Sequence, residues 1–380
     1  MKKEIYLDHA ATTAMWPRVQ RAMEPYMQEK YMNASAHYDG AKRIRQVVEN
    51  AREKIAQGIG ASPGEIYFTS GGSESDNWVI KSIAGEYKTQ GIRIVTDTIE
   101  HHAVLNSCSF LESLGYSVRY VQPDEGGIVH PEAVTEEMGE GKNLVSVMYG
   151  NNEIGTIEPL EEIGRQVHER GGFFHTDAVQ AVGQIPVSVE KLPVDALSAS
   201  AHKFHGPKGV GFLFVRKNLE LPSFIHGGAQ ERGRRAGTEN VAGIVGMAEA
   251  LTMSLHYLEE SMTYVSGLRD YMIGKILREC PDCRLNGSNN RLPGNVSVSF
   301  GNVEASTLLI LLEEAGICAS AGSACNTGTT RLSHVIEAIG VPERFAAGTI
   351  RFSLGVENTR QEIDYTIYTL KESLHILRQI

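Results

Sequence analysis

One stretch, Phe173-Phe174-His175-Thr176-Asp177-Ala178-Val179-Gln180, is an apolar run that ends in an aspartate. A second stretch follows further along the chain, Ser200-Ala201-His202-Lys203-Phe204-His205-Gly206-Pro207, and places a lysine in a turn rich in serine and histidine. Short apolar runs bounded by turn residues are typical of buried strands in a parallel sheet. Both stretches therefore predict strands whose carboxyl ends carry chemically active side chains.

Strand-like runs alternate with amphipathic helical stretches between about residues 65 and 215. The strand candidates are Glu65–Thr69, Arg93–Thr96, Val118–Val121, Leu144–Met148, Gly172–His175, Ala196–Ser198 and Val210–Val215. An example of the helical stretches is Leu160–His168. This alternation predicts an α/β fold with a mostly parallel sheet that is covered by helices on both faces. Ligands of such sheets bind at the carboxyl ends of the strands.

The pattern changes near Asn240. Apolar spacing predicts nearly continuous helix from Val241 to about Glu279. The remainder predicts shorter elements: a strand at Val296–Phe300, helices near Ala305–Glu314 and Leu332–Ile339, a strand at Ile350–Ser353 and a closing helix from about Arg360. We expect a large domain of residues 15–245 and a smaller α+β domain of residues 1–14 and 246–380.

Composition and charge argue against several classes of protein. The 380 residues are 42% hydrophobic and 22% charged, as in ordinary globular proteins. The formal net charge of −10 provides no basic field for a nucleic acid backbone. The N-terminal residues lack the apolar core of a signal peptide, and no run reaches the roughly 18 apolar residues of a membrane span. We expect a soluble, cytoplasmic protein that binds neither nucleic acid directly nor a membrane.

Five cysteines in a chain without an export signal are expected to be reduced thiols. Cys280-Pro281-Asp282-Cys283 has the spacing of half a zinc site, but no second pair matches it, so we predict no metal site. Cys325 is different, because the small and polar residues of Ala319–Thr329 surround it. Such a composition predicts an exposed loop, and an exposed cysteine is either a reactive nucleophile or an incidental thiol.

The pairing of Lys203 with Asp177 indicates a pyridoxal phosphate site. That cofactor needs an amine for a Schiff base and a carboxylate that keeps its pyridine nitrogen protonated. Taken alone, a lysine such as Lys203 is far more often an ordinary surface residue, so the prediction depends on the residues around it.

Three further motifs follow predicted strands. Thr69–Asn77 is rich in glycine and serine and could bind an anion at a helix N-terminus, or merely cap that helix. His101 could stack on a flat ring and move protons, or serve as a capping residue. Tyr149–Gly155 could bind a phenolate or a carboxylate, or form a turn.

Together these segments resemble the class V aminotransferases, and within them the NifS/IscS-type cysteine desulfurases. The resemblance runs from Tyr6–Thr13 to Thr349–Gly355, nearly the whole chain. The motifs that carry it are Thr69–Asn77, Glu100-His101, Asn151–Gly155, His175–Gln180, Ser200–Lys203, Arg235-Ala236-Gly237-Thr238 and Gly322-Ser323-Ala324-Cys325. It implies fold type I of the pyridoxal-phosphate enzymes, with a mostly parallel seven-stranded sheet in the large domain.

The resemblance also implies the roles of individual residues. Lys203 would bind the cofactor covalently and Asp177 would pair with its ring nitrogen. His101 would stack on the ring and move protons, and Cys325 would be the nucleophile. The other implied contacts are Gln180 and Asn152 at the ring oxygen, Gly72, Ser73, Ser200 and His202 at the phosphate, Thr238 at the phosphate of the neighbouring subunit's cofactor, and Arg351 with Asn152 at the substrate carboxylate.

The implied reaction is the removal of sulfur from L-cysteine, which leaves L-alanine and a persulfide on Cys325. A homodimer would pass this sulfur to an acceptor protein for iron–sulfur cluster assembly or thiolation. The nearest alternatives are a selenocysteine lyase, another class V enzyme of the same cofactor, or a non-catalytic scaffold. Only the departure from the family pattern at Asn33–Lys42 favours the scaffold.

Overall fold

The computed structural model describes residues 4–321 and 332–379 of the chain. The strands within these residues are β1 (Ile5–Tyr6), β2 (Ile66–Thr69), β3 (Arg93–Asp97), β4 (Ser117–Val121), β5 (Asn143–Ser146), β6 (Phe173–Asp177), β7 (Ala196–Ser200), β8 (Gly211–Val215), β9 (Cys283–Leu285), β10 (Asn295–Phe300), β11 (Ile317–Cys318), β12 (Ser320–Ala321) and β13 (Thr349–Ser353).

The helices are α1 (Pro17–Gln28), α2 (Asp39–Ile59), α3 (Gly72–Glu86), α4 (His102–Ser113), α5 (Pro131–Glu137), α6 (Leu160–Glu169), α7 (Val241–His256), α8 (Leu258–Glu279), α9 (Ala305–Glu314), α10 (His334–Ala338), α11 (Glu343–Ala346) and α12 (Arg360–Leu377). Strand and helix alternate regularly from β2 to β6, as the sequence predicted, and β7 follows β6 without a helix between them.

The large sheet has seven strands in the order β2-β8-β7-β6-β5-β3-β4. Strands β7, β6, β5, β3 and β4 pair in parallel, and β8 runs antiparallel to both of its neighbours. Every residue of β2, β5, β7 and β8 is buried, because helices cover both faces of the sheet. The prediction of an α/β fold with a mostly parallel seven-stranded sheet is confirmed.

A second hydrophobic core forms around a smaller antiparallel sheet of order β12-β13-β10-β9. Helices α8 and α9 pack on this sheet, α12 packs against these two helices, and all three contribute to the core. The N-terminal residues join it as well, since β1 pairs in parallel with β11 through Ile5 and Ile317. These contacts agree with the predicted small domain, while the boundaries of 1–14, 15–245 and 246–380 stay a prediction.

The long helix predicted from Val241 to Glu279 is two helices. Helices α7 and α8 meet at Tyr257, whose φ of −102° and ψ of 11° end α7, and their axes differ by 72°. The two helices pack against different cores, with Met247 of α7 in the large core and Met272 of α8 in the small one. No single helix among residues 4–321 and 332–379 is both long and apolar enough to span a membrane, and α7 and α8 meet these two conditions only together, as a pair bent by 72°.

Candidate active site

One cleft collects most of the residues that the sequence analysis selected. It lies where the carboxyl ends of five strands of the large sheet, β2, β3, β5, β6 and β7, meet residues from the small core. The selected residues that line it are Gly72, Ser73, His101, Asn152, Asp177, Gln180, Ser200, His202, Lys203 and Arg351. The fold therefore brings together side chains that are up to about 280 positions apart in the sequence (Gly72 to Arg351).

Two selected residues are not in this group. Thr238 is exposed and does not line the cleft of its own chain, so its contact with a neighbouring subunit's cofactor stays a prediction. Cys325 lies outside the described residues. The residues that flank this undescribed segment do border the cleft, because Ser320 pairs with Arg351 in the small sheet and Ser333 Oγ donates to Glu153 Oε2 at 2.5 Å.

Lys203 ends a short 3-10 turn, Ala201–Lys203, directly after β7. Its Nζ donates hydrogen bonds to the carbonyl oxygens of Ala10 at 2.5 Å and Ala11 at 2.8 Å. Thr13 fixes this N-terminal segment against the lysine turn, because its N–H and its hydroxyl both donate to the carbonyl of His202 at 2.9 Å. The amine is therefore held at the base of the cleft by backbone groups from the N-terminal segment.

Three titratable side chains face one another beside Lys203. Potential ligand atoms of Asp76, His101 and Asp177 all lie within 4.8 Å of one another. Asp177 is 6% exposed, and burial raises its pKa, against the opposing effects of the His101 and Lys203 charges. Asp76 is 1% exposed, and burial together with the Asp177 charge raises its pKa well above the usual range.

The charges of this cluster indicate whether a protonated pyridine ring suits the cleft. Both carboxylate oxygens of Asp76 are buried without a hydrogen-bond partner among the described residues. Buried polar atoms of this kind are costly unless a ligand or a proton satisfies them. A cationic ring nitrogen beside Asp177 would supply the missing positive charge, and the donor set therefore fits pyridoxal phosphate.

His101 is the N-cap residue of α4, and its Nδ1 accepts a hydrogen bond from Ala103 N at 3.1 Å. The capping role considered for this residue is thus confirmed, and it does not exclude a role in the cleft. Burial lowers the pKa of His101, although the Asp177 charge opposes this effect. The cap consequently selects the neutral tautomer that carries its proton on Nε2.

The glycine-rich segment forms the N-terminal end of α3. Gly71 adopts φ 151°, ψ −175°, and Gly72 approaches Val179 so closely that a Cβ there would lie 2.5 Å from Val179 Cγ2. Ser73 follows in the first turn, where backbone N–H groups and the helix dipole favour an anion. Ser200 and His202 line the same cleft from the lysine turn, and burial followed by the Lys203 charge lowers the pKa of His202 to about 4.

Arg351 faces the cleft from β13. Its Nη2 donates to Asp8 Oδ1 at 2.7 Å, and its Nη1 donates to the backbone carbonyl of Asn152 at 3.1 Å. Its Nε is buried and has no partner among the described residues, which leaves a donor for a carboxylate ligand. Gln180 Nε2 donates to Ala10 O at 3.0 Å, so this side chain braces the N-terminal segment that holds Lys203.

The sequence analysis missed three residues of the site: Asp8, Glu74 and Asp76. Asp8 bonds Arg351, while Glu74 and Asp76 line the cleft. Two of them were inside the quoted motif Thr69–Asn77, where an acid near the start of a helix resembles an ordinary dipole partner. The signal that distinguishes Asp76 is its place on the buried side of α3, four residues after Gly72.

The chain is similar to known proteins over nearly its whole length. The model of the family "Aminotransferase class-V" matches residues 5–366. The chain is 46% identical over 381 residues to "Cysteine desulfurase IscS" of Dictyoglomus turgidum, covering 100% of this chain and 97% of that protein. It is 45% identical over 379 residues to "Cysteine desulfurase IscS" of Methanosarcina thermophila, covering 100% and 94%.

Two solved structures have the same fold. One, titled "NIFS-LIKE PROTEIN", superposes with a TM-score of 0.92 at 40% identity and covers 99% of this chain and 100% of its own. Another, titled "SspA in complex with cysteine", superposes with a TM-score of 0.83 at 35% identity and covers 93% and 100%.

Proposed function

The chain belongs to the class V aminotransferase family, and from that premise we propose that it is a pyridoxal-phosphate-dependent cysteine desulfurase. The observation that carries the proposal is the convergence of Lys203, Asp177, His101 and Arg351 on one cleft. An amine, a buried acid, a neutral imidazole and a carboxylate-binding guanidinium are the groups that this chemistry needs. Relatives of nearly equal length carry the name cysteine desulfurase, and one structural neighbour is titled as a complex with cysteine.

The polar residues selected from the sequence each have a place in the proposed reaction. Pyridoxal phosphate, when bound through Lys203, supplies an electron sink next to the substrate Cα. Lys203 Nζ would remove the Cα proton of the bound substrate, and the carbonyls of Ala10 and Ala11 orient this amine. Asp177 would pair with the ring nitrogen of the cofactor, and Arg351 would bind the substrate carboxylate in a fixed orientation.

His101 contributes a proton at a defined atom. Because its Nδ1 accepts from Ala103 N, the proton of the neutral ring is on Nε2. We assign His101 to proton transfer beside the ring. Gly72, Ser73, Ser200 and His202 would bind the phosphate, Asn152 and Gln180 would bind the ring oxygen, and Thr238 of a second copy would complete the phosphate site.

Sulfur leaves through Cys325. The Cys325 thiolate attacks the sulfur of L-cysteine, so that an S–S bond forms while the substrate Cβ–S bond breaks. The substrate keeps the electron pair of that bond and takes up one proton at Cβ and one at Cα, the latter replacing the proton that Lys203 removed, which gives L-alanine and a Cys325 persulfide. The transfer needs no external oxidant, because the substrate carbon keeps the electron pair of the broken Cβ–S bond. Cys325 lies between Ser320 and Ser333 in the sequence, and both of these serines make contacts at the cleft.

The proposal extends to partners and location. A homodimer agrees with the large apolar side chains exposed near α1, among them Met27 at 64% and Tyr31 at 76%. The persulfide requires an acceptor protein, which would use the sulfur for iron–sulfur cluster assembly or thiolation. Cys108, Cys280, Cys283 and Cys318 are free thiols, and this is consistent with a reducing, cytoplasmic location.

One assay tests the proposal directly. The purified protein is incubated with L-cysteine and pyridoxal phosphate, and we expect L-alanine and sulfide in equal amounts when a reductant is present. Cys325→Ala should abolish turnover, whereas Cys318→Ala, a matched control in β11, should retain it. Full activity of Cys325→Ala would reject the persulfide route, and a strong preference for selenocysteine would instead identify a selenocysteine lyase.

A further inference from the structure

Glu74 places a carboxylate where the cofactor phosphate is expected. It occupies the first turn of α3, lines the cleft, and its side chain is 11% exposed. Its Oε2 accepts a hydrogen bond from Ser70 N at 2.9 Å, so Glu74 shapes the segment that leads into Gly71 and Gly72. A negative charge at a helix N-terminus is favourable by itself, but it repels a second anion at the same place.

Arg235 neutralises this carboxylate. Its Nε donates to Glu74 Oε1 at 2.8 Å and its Nη2 donates to Oε2 at 3.1 Å, which is the bidentate geometry of strong Arg–carboxylate pairs. Burial favours the protonated acid, yet the hydrogen bonds from Arg235 and Ser70 outweigh it and lower the pKa of Glu74. Glu74 is therefore ionised at neutral pH, and the pair has no net charge.

The segment that carries Arg235 is itself fixed to the large sheet. Glu231 and Arg232 adopt positive φ values of 44° and 58°, a strained backbone that needs support from its surroundings. Arg52 supplies that support, because its Nη1 and Nη2 bond the Glu231 carboxylate at 2.8 and 2.9 Å. Glu231 also accepts a hydrogen bond from Phe68 N of β2 at 2.9 Å.

The loop that carries Glu231 and Arg235 is thus attached to the strand and to the helix on either side of the glycine-rich segment. Glu231 binds the loop to β2 just before that segment, and Arg235 binds it to α3 just after. Resting on the proposed function, we propose that Arg235 and Glu74 are positioning residues for the cofactor phosphate: Glu74 orders the phosphate-binding backbone, and Arg235 cancels the charge that would otherwise repel the phosphate.

This role makes a specific prediction about ligands. Without Arg235, the Glu74 charge faces the site uncompensated, and binding of a phosphate dianion weakens. Pyridoxal has the same ring and aldehyde but no phosphate, so its affinity should not depend on the pair. Removing the Glu74 charge as well, by Glu74→Gln, should restore phosphate binding, because glutamine keeps an acceptor for Ser70 N–H.

The experiment measures dissociation constants of pyridoxal phosphate and of pyridoxal for the cofactor-stripped, full-length protein by absorbance titration. The variants are Arg235→Met, Glu74→Gln and the double variant, and the control is Arg234→Met. Arg234 belongs to the same loop but donates to Tyr67 Oη at 3.0 Å instead of to Glu74. Pyridoxal binding also serves as the test that each variant has folded.

We expect Arg235→Met to weaken pyridoxal phosphate binding about tenfold or more, the double variant to recover to within about threefold of the wild type, and pyridoxal affinity to change less than about twofold throughout. Equal losses for both ligands, or no loss for pyridoxal phosphate, would overturn the proposal. If the wild-type chain fails to bind pyridoxal phosphate, the proposed function itself is rejected. If the wild type binds it and the Arg235→Met variant binds it equally well, only this inference is rejected.

Discussion

The carboxylate of Asp8 lies 2.7 Å from Nη2 of Arg351, the residue that we assign to the substrate carboxylate. The other carboxylate oxygen of Asp8 accepts a hydrogen bond from Ser320 Oγ at 2.8 Å. Asp8 therefore connects the N-terminal segment with Arg351 and with β12. This acid holds Arg351 in the cleft before any substrate arrives.

Removing Asp8 should destabilise the protein. The side chain of Arg351 is 3% exposed and that of Asp8 is 17% exposed, so Asp8→Ala leaves a buried guanidinium without its counter-ion. Losing one partner of such a pair costs about 3 kcal/mol. We expect a clear fall in the midpoint of urea denaturation. The matched control is Asp364→Ala, which breaks the surface pair with Lys275 and should leave the midpoint nearly unchanged. Equal shifts in the two variants would contradict this view.

Replacing Arg351 by lysine should act on substrate binding more than on turnover. Lysine keeps the charge but cannot form two parallel hydrogen bonds to a carboxylate. We expect KM for L-cysteine to rise about 10- to 100-fold, with a smaller change in kcat. The control is Arg344→Lys, which alters an exposed arginine that pairs with Asp282. If KM stays constant in Arg351→Lys, the substrate carboxylate is bound elsewhere.

The residues that the sequence predicted best are those whose positions depend only on the order of the strands. Asp177, Lys203 and the Thr69–Asn77 segment each follow a strand, and parallel strands bring their carboxyl ends to one edge. That regularity was enough to place them in one cleft. The resemblance to a family added Arg351, which no local pattern would have associated with residues of the large sheet.

Contacts between distant segments were not predictable. Asp8 and Arg351 are 343 residues apart, and the Arg235–Glu74 pair joins positions 161 apart. Such pairs depend on tertiary packing, which periodicity does not encode. The break at Tyr257 was missed for a related reason, because apolar spacing continues through it although α7 and α8 face different cores.

His175 should make the protein sensitive to acid. It is fully buried between Ser146 Oγ at 2.9 Å and Ser198 Oγ at 3.0 Å, and burial lowers its pKa to about 3. Its folded pKa lies below the unfolded value of about 6.5, so its contribution to stability is complete above pH 6.5 and is lost as the pH falls towards 3.

We expect a slope of up to about 1.4 kcal/mol per pH unit in this range from His175. Asp97 acts in the opposite direction, because burial raises its pKa to about 7, and stability from this group falls as the pH rises. The His175 effect is therefore measured as the difference between the wild type and His175→Asn, by urea denaturation between pH 4 and 8. Parallel curves for the two proteins would show that His175 is not the acid-sensitive group.

A methyl group at position 72 should disturb the anion site. A Cβ on Gly72 would lie 2.5 Å from Val179 Cγ2, too close for any ordinary contact, so Gly72→Ala must displace the start of α3 or the segment after Asp177. We expect cofactor affinity to fall at least about tenfold. Gly64→Ala is the control, because a Cβ there meets nothing within 4 Å. Val179→Ala should partly rescue Gly72→Ala, and a failure of this rescue would locate the clash elsewhere.

Asp76 and Asp177, two of the buried acids of the cleft, should respond differently to neutralisation. Burial, followed by the neighbouring charge of Asp177, raises the pKa of Asp76 well above its usual range and so disfavours its anion. Asp76→Asn removes a charge that these surroundings already disfavour and keeps the shape of the side chain, so activity should stay within about threefold of the wild type. Asp177→Asn removes the charge that we assign to the ring nitrogen of the cofactor, and turnover should fall by at least about 100-fold. Both variants are assayed for alanine release, and the absorbance of the bound cofactor reports whether the site is occupied. An Asp76→Asn variant as inactive as Asp177→Asn would mean that the two acids have exchanged roles and that Asp76 carries the negative charge.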